Sequence, residues 1–110
     1  MTRVTVYKSV VDGFKGFLVS GHAGYEDHGK DVVCAAVSIL VINTINAIEA
    51  FTSDEMSCHL DQVAGVIECQ FKHEPSKQAT LLLDTMMLGL ESIQADRQYS
   101  EFIELIFQEV

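Results

Sequence analysis

Alternation of apolar and polar residues predicts strands near the beginning, in the middle and at the end of the chain. Val4 and Val6 alternate with polar neighbours, and after the turn residues Asp12 and Gly13 a second strand covers residues 14–20. β-branched residues at every second position are typical of half-buried strands, and Asp-Gly is typical of a hairpin turn. The remaining predicted strands are residues 56–61, 67–72 and 102–107.

Two long apolar segments without this alternation predict helices. Residues 32–51 contain no Gly or Pro and follow Asp31, which is suited to cap a helix N-terminus. The segment is apolar around most of its circumference, so we expect burial on two sides. A second helix is predicted after Pro75, over residues 76–96. The order β-β-α-β-β-α-β predicts one α+β domain over residues 1–110, with two helices packed on a mostly antiparallel sheet.

Composition and charge narrow the classes of function. The net charge is −9 and the isoelectric point is near 4.6, which disfavours nucleic-acid binding because phosphate contacts require clustered Lys and Arg. A basic protein partner is favoured instead.

Residues 1–8 lack the apolar core of a signal peptide, and the apolar run 32–42 is too short to cross a membrane. Three cysteines, an odd number, favour a reducing compartment, so we expect a cytoplasmic protein without a membrane partner.

The candidate chemistry lies between the second strand and the first helix. Residues 21–30 contain three glycines and two histidines and are predicted to form a long loop of the kind that often carries function. If Asp31 caps the helix, Cys34 lies in its first turn, where unpaired N–H groups and the helix dipole favour a thiolate. His22 would activate this thiolate and protonate the leaving amine. The backbone N–H of Cys34 or of a first-turn neighbour could bind the oxyanion.

Four further residues are candidates to support this pair. Asp31 would either orient the histidine or cap the helix. Ser38 follows the cysteine by four residues, so it shares a helix face with it and could line the site. Gly24 and Gly29 are positions at which the loop could hinge, and closure over a substrate would exclude water.

The other two cysteines are predicted to face each other across a hairpin. Cys58 and Cys69 are opposite if the turn between their strands has four residues. This arrangement suggests a disulfide or a metal site, but both residues lie on the apolar face and the chain has no Cys-x-x-Cys motif. We therefore expect two buried core thiols, with no metal or other cofactor.

The loop and the helix start resemble the signature of a known family. Gly21-His22-Ala23, followed by Gly29-Lys30-Asp31-Val32-Val33-Cys34-Ala35-Ala36-Val37-Ser38, is similar to the motif of the ribosomal-processing cysteine proteases. The similarity extends over the whole chain. One small departure is Ser100, where family members often carry proline, and it concerns a turn rather than the reactive positions.

The resemblance implies a cysteine endopeptidase that removes the N-terminal extension of a basic large-subunit ribosomal protein through a thioester acyl-enzyme. It implies that His22 and Cys34 form the catalytic dyad, that Asp31 and Ser38 support it, and that aromatic residues flank the cut in the substrate. It also implies a homodimer. Two apolar helices on so small a chain predict the same, because they leave more hydrophobic surface than one sheet covers.

Two other functions remain open on the residues alone. A non-catalytic ribosome-associated interaction module would bind a basic protein through the loop and keep Cys34 as a core thiol. A metal-binding protein would use His22, His28 and Cys34. Selective alkylation of Cys34 at neutral pH would favour the protease over the module, and activity retained in a chelator would argue against the metal.

Overall fold

The computed structural model describes residues 1–11, 13–21, 28–61 and 63–110, the side chains of residues 28–31 excepted. Within these ranges the elements follow the predicted order β-β-α-β-β-α-β, with a short 3-10 turn before the last strand. They are β1 (Thr2–Ser9), β2 (Gly13–Ser20), α1 (His28–Phe51), β3 (Met56–Asp61), β4 (Val66–Phe71), α2 (Lys77–Ala95), the 3-10 turn (Ser100–Phe102) and β5 (Ile103–Glu109).

The strands form one mixed sheet in the order β3-β4-β2-β1-β5. The pairs β1–β2, β2–β4 and β3–β4 are antiparallel, and β5 runs parallel to β1. This confirms the mostly antiparallel sheet of an α+β domain. The β1–β2 register shifts between Tyr7 and Lys8, which marks a β-bulge at the end of the hairpin.

Two rows of side chains cross the inner face of the sheet, on which the helices pack. The first row is Leu60, Ile67, Val19, Val4 and Leu105, and the second is Cys58, Cys69, Phe17, Val6 and Phe107. Both rows are buried at the centre, where Val4 is 0% exposed, and open at the edges, where Leu60 is 49% and Phe107 is 60% exposed. The helices therefore cover the middle of the sheet and leave the inner faces of the edge strands partly open.

Helix α1 contributes a buried row to the core, spaced three or four residues apart as one helix face requires. The row consists of Val33, Val37, Val41, Ile45 and Ile48. A flank of the helix packs on α2, where Leu40 contacts Gly89. The segment Val32–Phe51, with a mean hydropathy of 1.9, is long and apolar enough to cross a membrane, but its buried row is that of a core helix.

The predicted pairing of Cys58 with Cys69 is confirmed, whereas the expectation of two buried core thiols is wrong. The two residues are directly opposite, with a Cα–Cα distance of 4.2 Å, and a disulfide joins them. Cys69 is buried but Cys58 is exposed, because β3 is an edge strand whose inner face the helices do not cover. Disulfides persist mainly in oxidising compartments, so this bond weakens the cysteine argument for a reducing one.

Candidate active site

Cys34 lies on α1 at the end of the sheet where β2 ends. Its thiol is free and half-buried. The helix begins at His28, so Cys34 is in the second helical turn, close to the place where the chain arrives from β2. A partly exposed thiol at the end of the sheet can be reached by another molecule, whereas a thiol in the core row could not.

The start of α1 differs from the predicted boundary, and this changes the electrostatic argument. Gly29 and Asp31 belong to the helix, so Asp31 is not its N-cap and the first-turn position expected for Cys34 is wrong. The unpaired N–H groups at a helix N-terminus belong to its first four residues, here His28 to Asp31. The N–H of Cys34 is therefore used within the helix. The dipole effect fades beyond the first turn, so activation of the thiol depends on a neighbouring base.

Helical geometry places Cys34 on the flank of α1 that faces away from α2. Residues on a helix follow one another at 3.6 per turn, so Cys34, Ser38 and Ile45 share a flank opposite Leu40, the residue that packs on α2. Because α2 packs beside β5 at one edge of the sheet, this flank of α1 is turned away from that edge. Ser38 is half-buried, one turn from Cys34, as their spacing requires.

The end of β2 has a geometry that only glycine satisfies. Gly21 has a φ of +112°, and a Cβ at this position would overlap with the carbonyl oxygen of Met1 beside β1. Glycine adopts such a φ without steric cost. The glycine of the Gly-His pair thus sets the direction of the backbone at the end of β2.

Several candidate site residues lie outside the described part of the chain. His22 and Gly24 fall in residues 22–27, so their contacts with Cys34 stay predictions. Asp31 is three residues before Cys34 on α1, but its side chain is not described. Gly29 lies within α1, so the predicted end of the loop at residue 30 is wrong, and a hinge at Gly29 stays a prediction.

A metal site has no support among the residues that the structure describes. No group of three His, Cys, Asp or Glu side chains in these ranges is arranged to hold an ion. The set His22, His28 and Cys34 extends outside them. The sequence predicted strand β3 but not its place at the edge of the sheet, where Leu60 is exposed, because strand order depends on contacts between distant segments.

Comparisons with known proteins agree with this arrangement. The family model described as Cysteine protease Prp matches residues 1–104. Ribosomal processing cysteine protease Prp of Bacillus subtilis (strain 168) is 30% identical over 100 residues, which cover 87% of this chain and 89% of the relative. The protein of the same name from Staphylococcus aureus (strain Mu50) is 30% identical over 91 residues, covering 83% and 84%.

A solved structure shows the same fold. The crystal structure of the ribosomal processing protease Prp from S. aureus in complex with a substrate peptide superposes with a TM-score of 0.89 and 27% identity, over 98% of this chain and 100% of that chain. Similarity in sequence and in fold extends over nearly the whole length of both proteins. The chain therefore belongs to the Prp family and is a cysteine endopeptidase.

Proposed function

We propose that this endopeptidase removes the N-terminal extension of a large-subunit ribosomal protein, with Cys34 as nucleophile and His22 as base. The observation that carries the proposal is the free, half-buried thiol of Cys34 on α1. It lies at the end of the sheet where β2 ends next to Gly21, the residue before His22. Two findings support a ribosomal protein as the substrate. The relatives are named ribosomal processing proteases, and the S. aureus relative was solved in complex with a substrate peptide.

The chemistry follows from this pair of residues. The imidazole of His22 takes the proton of the Cys34 thiol, and the thiolate attacks the carbonyl carbon of the scissile peptide bond. The imidazolium then donates its proton to the leaving amine, and the C–N bond breaks to give a thioester. A water molecule, deprotonated by His22, attacks the thioester, releases the carboxylic acid product and regenerates the thiol.

The supporting residues complete the proposed site. N–H groups from the first turn of α1, at Gly29 to Asp31, would bind the oxyanion in place of the N–H of Cys34. Asp31 would orient His22, and Ser38 would line the flank beside the thiol. The segment at Gly24 would close over the bound peptide and exclude water from the thioester.

The whole chain suits a basic protein substrate and a second copy of itself. A net charge of −9 would attract a basic extension and disfavour nucleic acid. We place the enzyme in the cytoplasm, without a membrane partner, and propose a homodimer. The exposed side of α1, centred on Ile39 at 69% exposure and Ile42 at 37%, supports the dimer because the exposed residues around this centre, Ala35, Asn43 and Asn46, carry no charge, and Glu49 lies toward the C-terminal end of the helix.

Substitution of the two reactive residues tests the proposal. We expect Cys34→Ala and His22→Ala each to lower turnover of a basic peptide with an aromatic pair by about 10³-fold or more. The double variant should be scarcely slower than either single one, because thiolate and imidazole act as one unit. Cys34→Ser should be nearly inactive, and Asp31→Asn should be intermediate.

The control is an exposed hydroxyl on α2. Ser92→Ala leaves the disulfide and the proposed site intact and should retain most of the turnover. Circular dichroism should show the same fold in all variants. Near-normal turnover by Cys34→Ala would contradict the proposed nucleophile.

A further inference from the structure

The Cys58–Cys69 disulfide is unequally exposed at its two ends. Cys69 lies on β4 and is 1% exposed, whereas Cys58 lies on β3 and is exposed. The difference arises because β4 has a strand on each side, while β3 is the last strand of the sheet. A small thiol in solution can therefore reach the sulfur of Cys58 but not that of Cys69. Exposed disulfides are the ones that exchange readily with thiols, whereas buried structural ones resist reduction.

Strand β3 is held to the molecule mainly by β4. Among the described elements, β4 is the only one against which β3 packs extensively. The disulfide adds a covalent link to this pairing, and the two cysteines are only 11 residues apart in sequence. A link that closes so short a loop constrains little of the unfolded chain. The bond therefore acts on the β3–β4 hairpin more than on the fold as a whole.

The two ends of the β3–β4 hairpin are held differently. At the Met56 end, the N–H of Lys72 donates to the carbonyl oxygen of Glu55 at 3.1 Å, and Met56 and Phe71 pack against the core. At the turn end, Leu60 lies on the apolar face but is 49% exposed. The disulfide lies between these ends. Its loss would release the turn end, while the Met56 end stays anchored.

The backbone ladder identifies amides that report on each end. The Cα atoms of Cys58 and Cys69 are 4.2 Å apart, a separation typical of an antiparallel pair without mutual backbone hydrogen bonds. By alternation the residues on either side in β3, Ser57 and His59, exchange hydrogen bonds with β4. The N–H of Ser57 therefore lies on the anchored side of the disulfide, and the N–H of His59 lies on the turn side.

We propose that Cys58–Cys69 is a thiol-exchange site that locks and releases the turn end of this hairpin. The thiolate of a small thiol of the glutathione class attacks the Cys58 sulfur. The S–S bond breaks, and Cys69 leaves as a thiolate that takes up a proton. A second small thiolate attacks the mixed disulfide on Cys58, which frees Cys58 as a thiol. Two small thiols are thus oxidised to their disulfide while the protein disulfide is reduced to a dithiol.

This exchange reconciles the bond with a reducing compartment. The state of the pair follows the ratio of reduced to oxidised small thiol, so the lock opens in a reduced pool and closes in an oxidised one. Neither Cys34 nor His22 takes part in the exchange. Failure of the proposed protease chemistry would therefore leave this inference standing, and the reverse also holds.

Mass spectrometry of the intact protein in glutathione buffers tests the exchange. The Cys34→Ala protein is used, so that every thiol detected belongs to the pair. The disulfide-bonded fraction should fall as the ratio of reduced to oxidised glutathione rises. Mixed disulfide trapped by acid should lie on Cys58 at least about tenfold more often than on Cys69. A bond that stays closed in a large excess of reduced glutathione, or a mixed disulfide mainly on Cys69, would overturn the proposal.

Two variants with one cysteine each provide a matched comparison. Cys34→Ala with Cys69→Ala keeps only Cys58, and Cys34→Ala with Cys58→Ala keeps only Cys69. With circular dichroism confirming the fold, Cys58 should react with oxidised glutathione at least about tenfold faster than Cys69. Equal rates in two folded variants would contradict the unequal exposure on which the proposal depends.

Amide hydrogen exchange, followed by NMR on the oxidised and the reduced Cys34→Ala protein, tests the release of the turn end. Reduction should accelerate exchange at the N–H of His59 at least about tenfold and leave that of Ser57 within about twofold. Unchanged exchange at His59 would show that the disulfide does not lock the hairpin. Equal acceleration at both amides would also overturn the proposal, because the Met56 end would then be released as well.

Discussion

Gly16 lies where two paired strands approach too closely for any side chain. A Cβ on this residue of β2 would overlap with the backbone carbonyl oxygen of Cys69 on β4 and would lie 3.2 Å from the Cα of Gln70. Both neighbours are backbone atoms held by the β2–β4 ladder. Gly89 differs, because its Cβ would meet only the side chain of Leu40, at 3.0 Å, and that side chain can change its rotamer.

These two glycines give a matched pair of substitutions. We expect Gly16→Ala to lower the free energy of unfolding by about 1–3 kcal/mol, since the strands must move apart. Gly89→Ala should change it by less than about 1 kcal/mol, because alanine favours the helix by a similar amount and offsets the displacement of Leu40. Urea denaturation of both variants measures the difference. Equal losses would contradict the distinction between backbone and side-chain neighbours.

At the scale of elements, the N-terminus of α2 is held by a hydrogen-bonded pair. The hydroxyl of Ser76 accepts from the N–H of Ala79 at 3.1 Å, which caps the helix. The Asp54 carboxylate accepts from the Ser76 N–H at 2.7 Å and from its hydroxyl at 2.5 Å. Burial raises the pKa of Asp54, but hydrogen bonds from Ser76 and Thr52 outweigh it and hold this pKa below its usual value.

The lowered pKa makes this cap sensitive to acid. A carboxyl whose pKa is lower in the folded state stabilises the fold above its unfolded pKa, about 3.9, and loses this contribution as pH falls through the folded value. Asp54→Ala should therefore lower the free energy of unfolding at pH 7, and its difference from the wild type should shrink below about pH 4. Urea denaturation at a series of pH values measures this dependence.

Two further variants define the contribution of the cap. Ser76→Ala should lower the free energy of unfolding by about 1 kcal/mol. Glu74→Ala, an exposed carboxylate two residues before the cap, is the control and should have little effect at any pH. A difference between Asp54→Ala and the wild type that stays constant down to pH 2 would show that the carboxylate charge is not involved.

At the scale of the whole molecule, α1 leaves an apolar side exposed that a second copy could cover. Only 33% of the segment Val32–Phe51 is buried within one chain, and Ile39 is 69% exposed. The exposed side of α2 also carries large apolar residues, among them Leu88 at 66%, but Asp84 and Glu91 accompany them. Interface centres are depleted of charge, so the side of α1 is the better candidate.

Sedimentation of two variants tests this assignment. The wild-type chain should sediment as a dimer at micromolar concentration, and Ile39→Glu should sediment as a monomer, because it buries an unpaired charge in the interface. Leu88→Glu is the matched control on α2 and should remain a dimer. A clean monomer for the wild type would contradict the homodimer, and a monomer only in Leu88→Glu would move the interface to α2.

Sequence periodicity alone determined most of the elements and the register of one hairpin. Strand alternation and the short turn predicted that Leu60 opposes Ile67 and Cys58 opposes Cys69, and both pairs are present. The helices were equally readable, because long apolar segments without breakers have few alternatives. The reactive pair His22 and Cys34 was proposed from residue type and from the motif around them, and both can be identified in the local sequence.

Only the tertiary structure decided what depends on contacts between distant segments. The order of strands made β3 an edge, so Cys58 is exposed although it lies on the apolar face. The parallel pairing of β5 with β1 joins residues about a hundred positions apart. The sequence placed the start of α1 at residue 32 instead of His28, because the glycine and polar residues in between disfavour a helix locally. Local pattern states which residues prefer to be buried, but long-range packing determines which of them are covered.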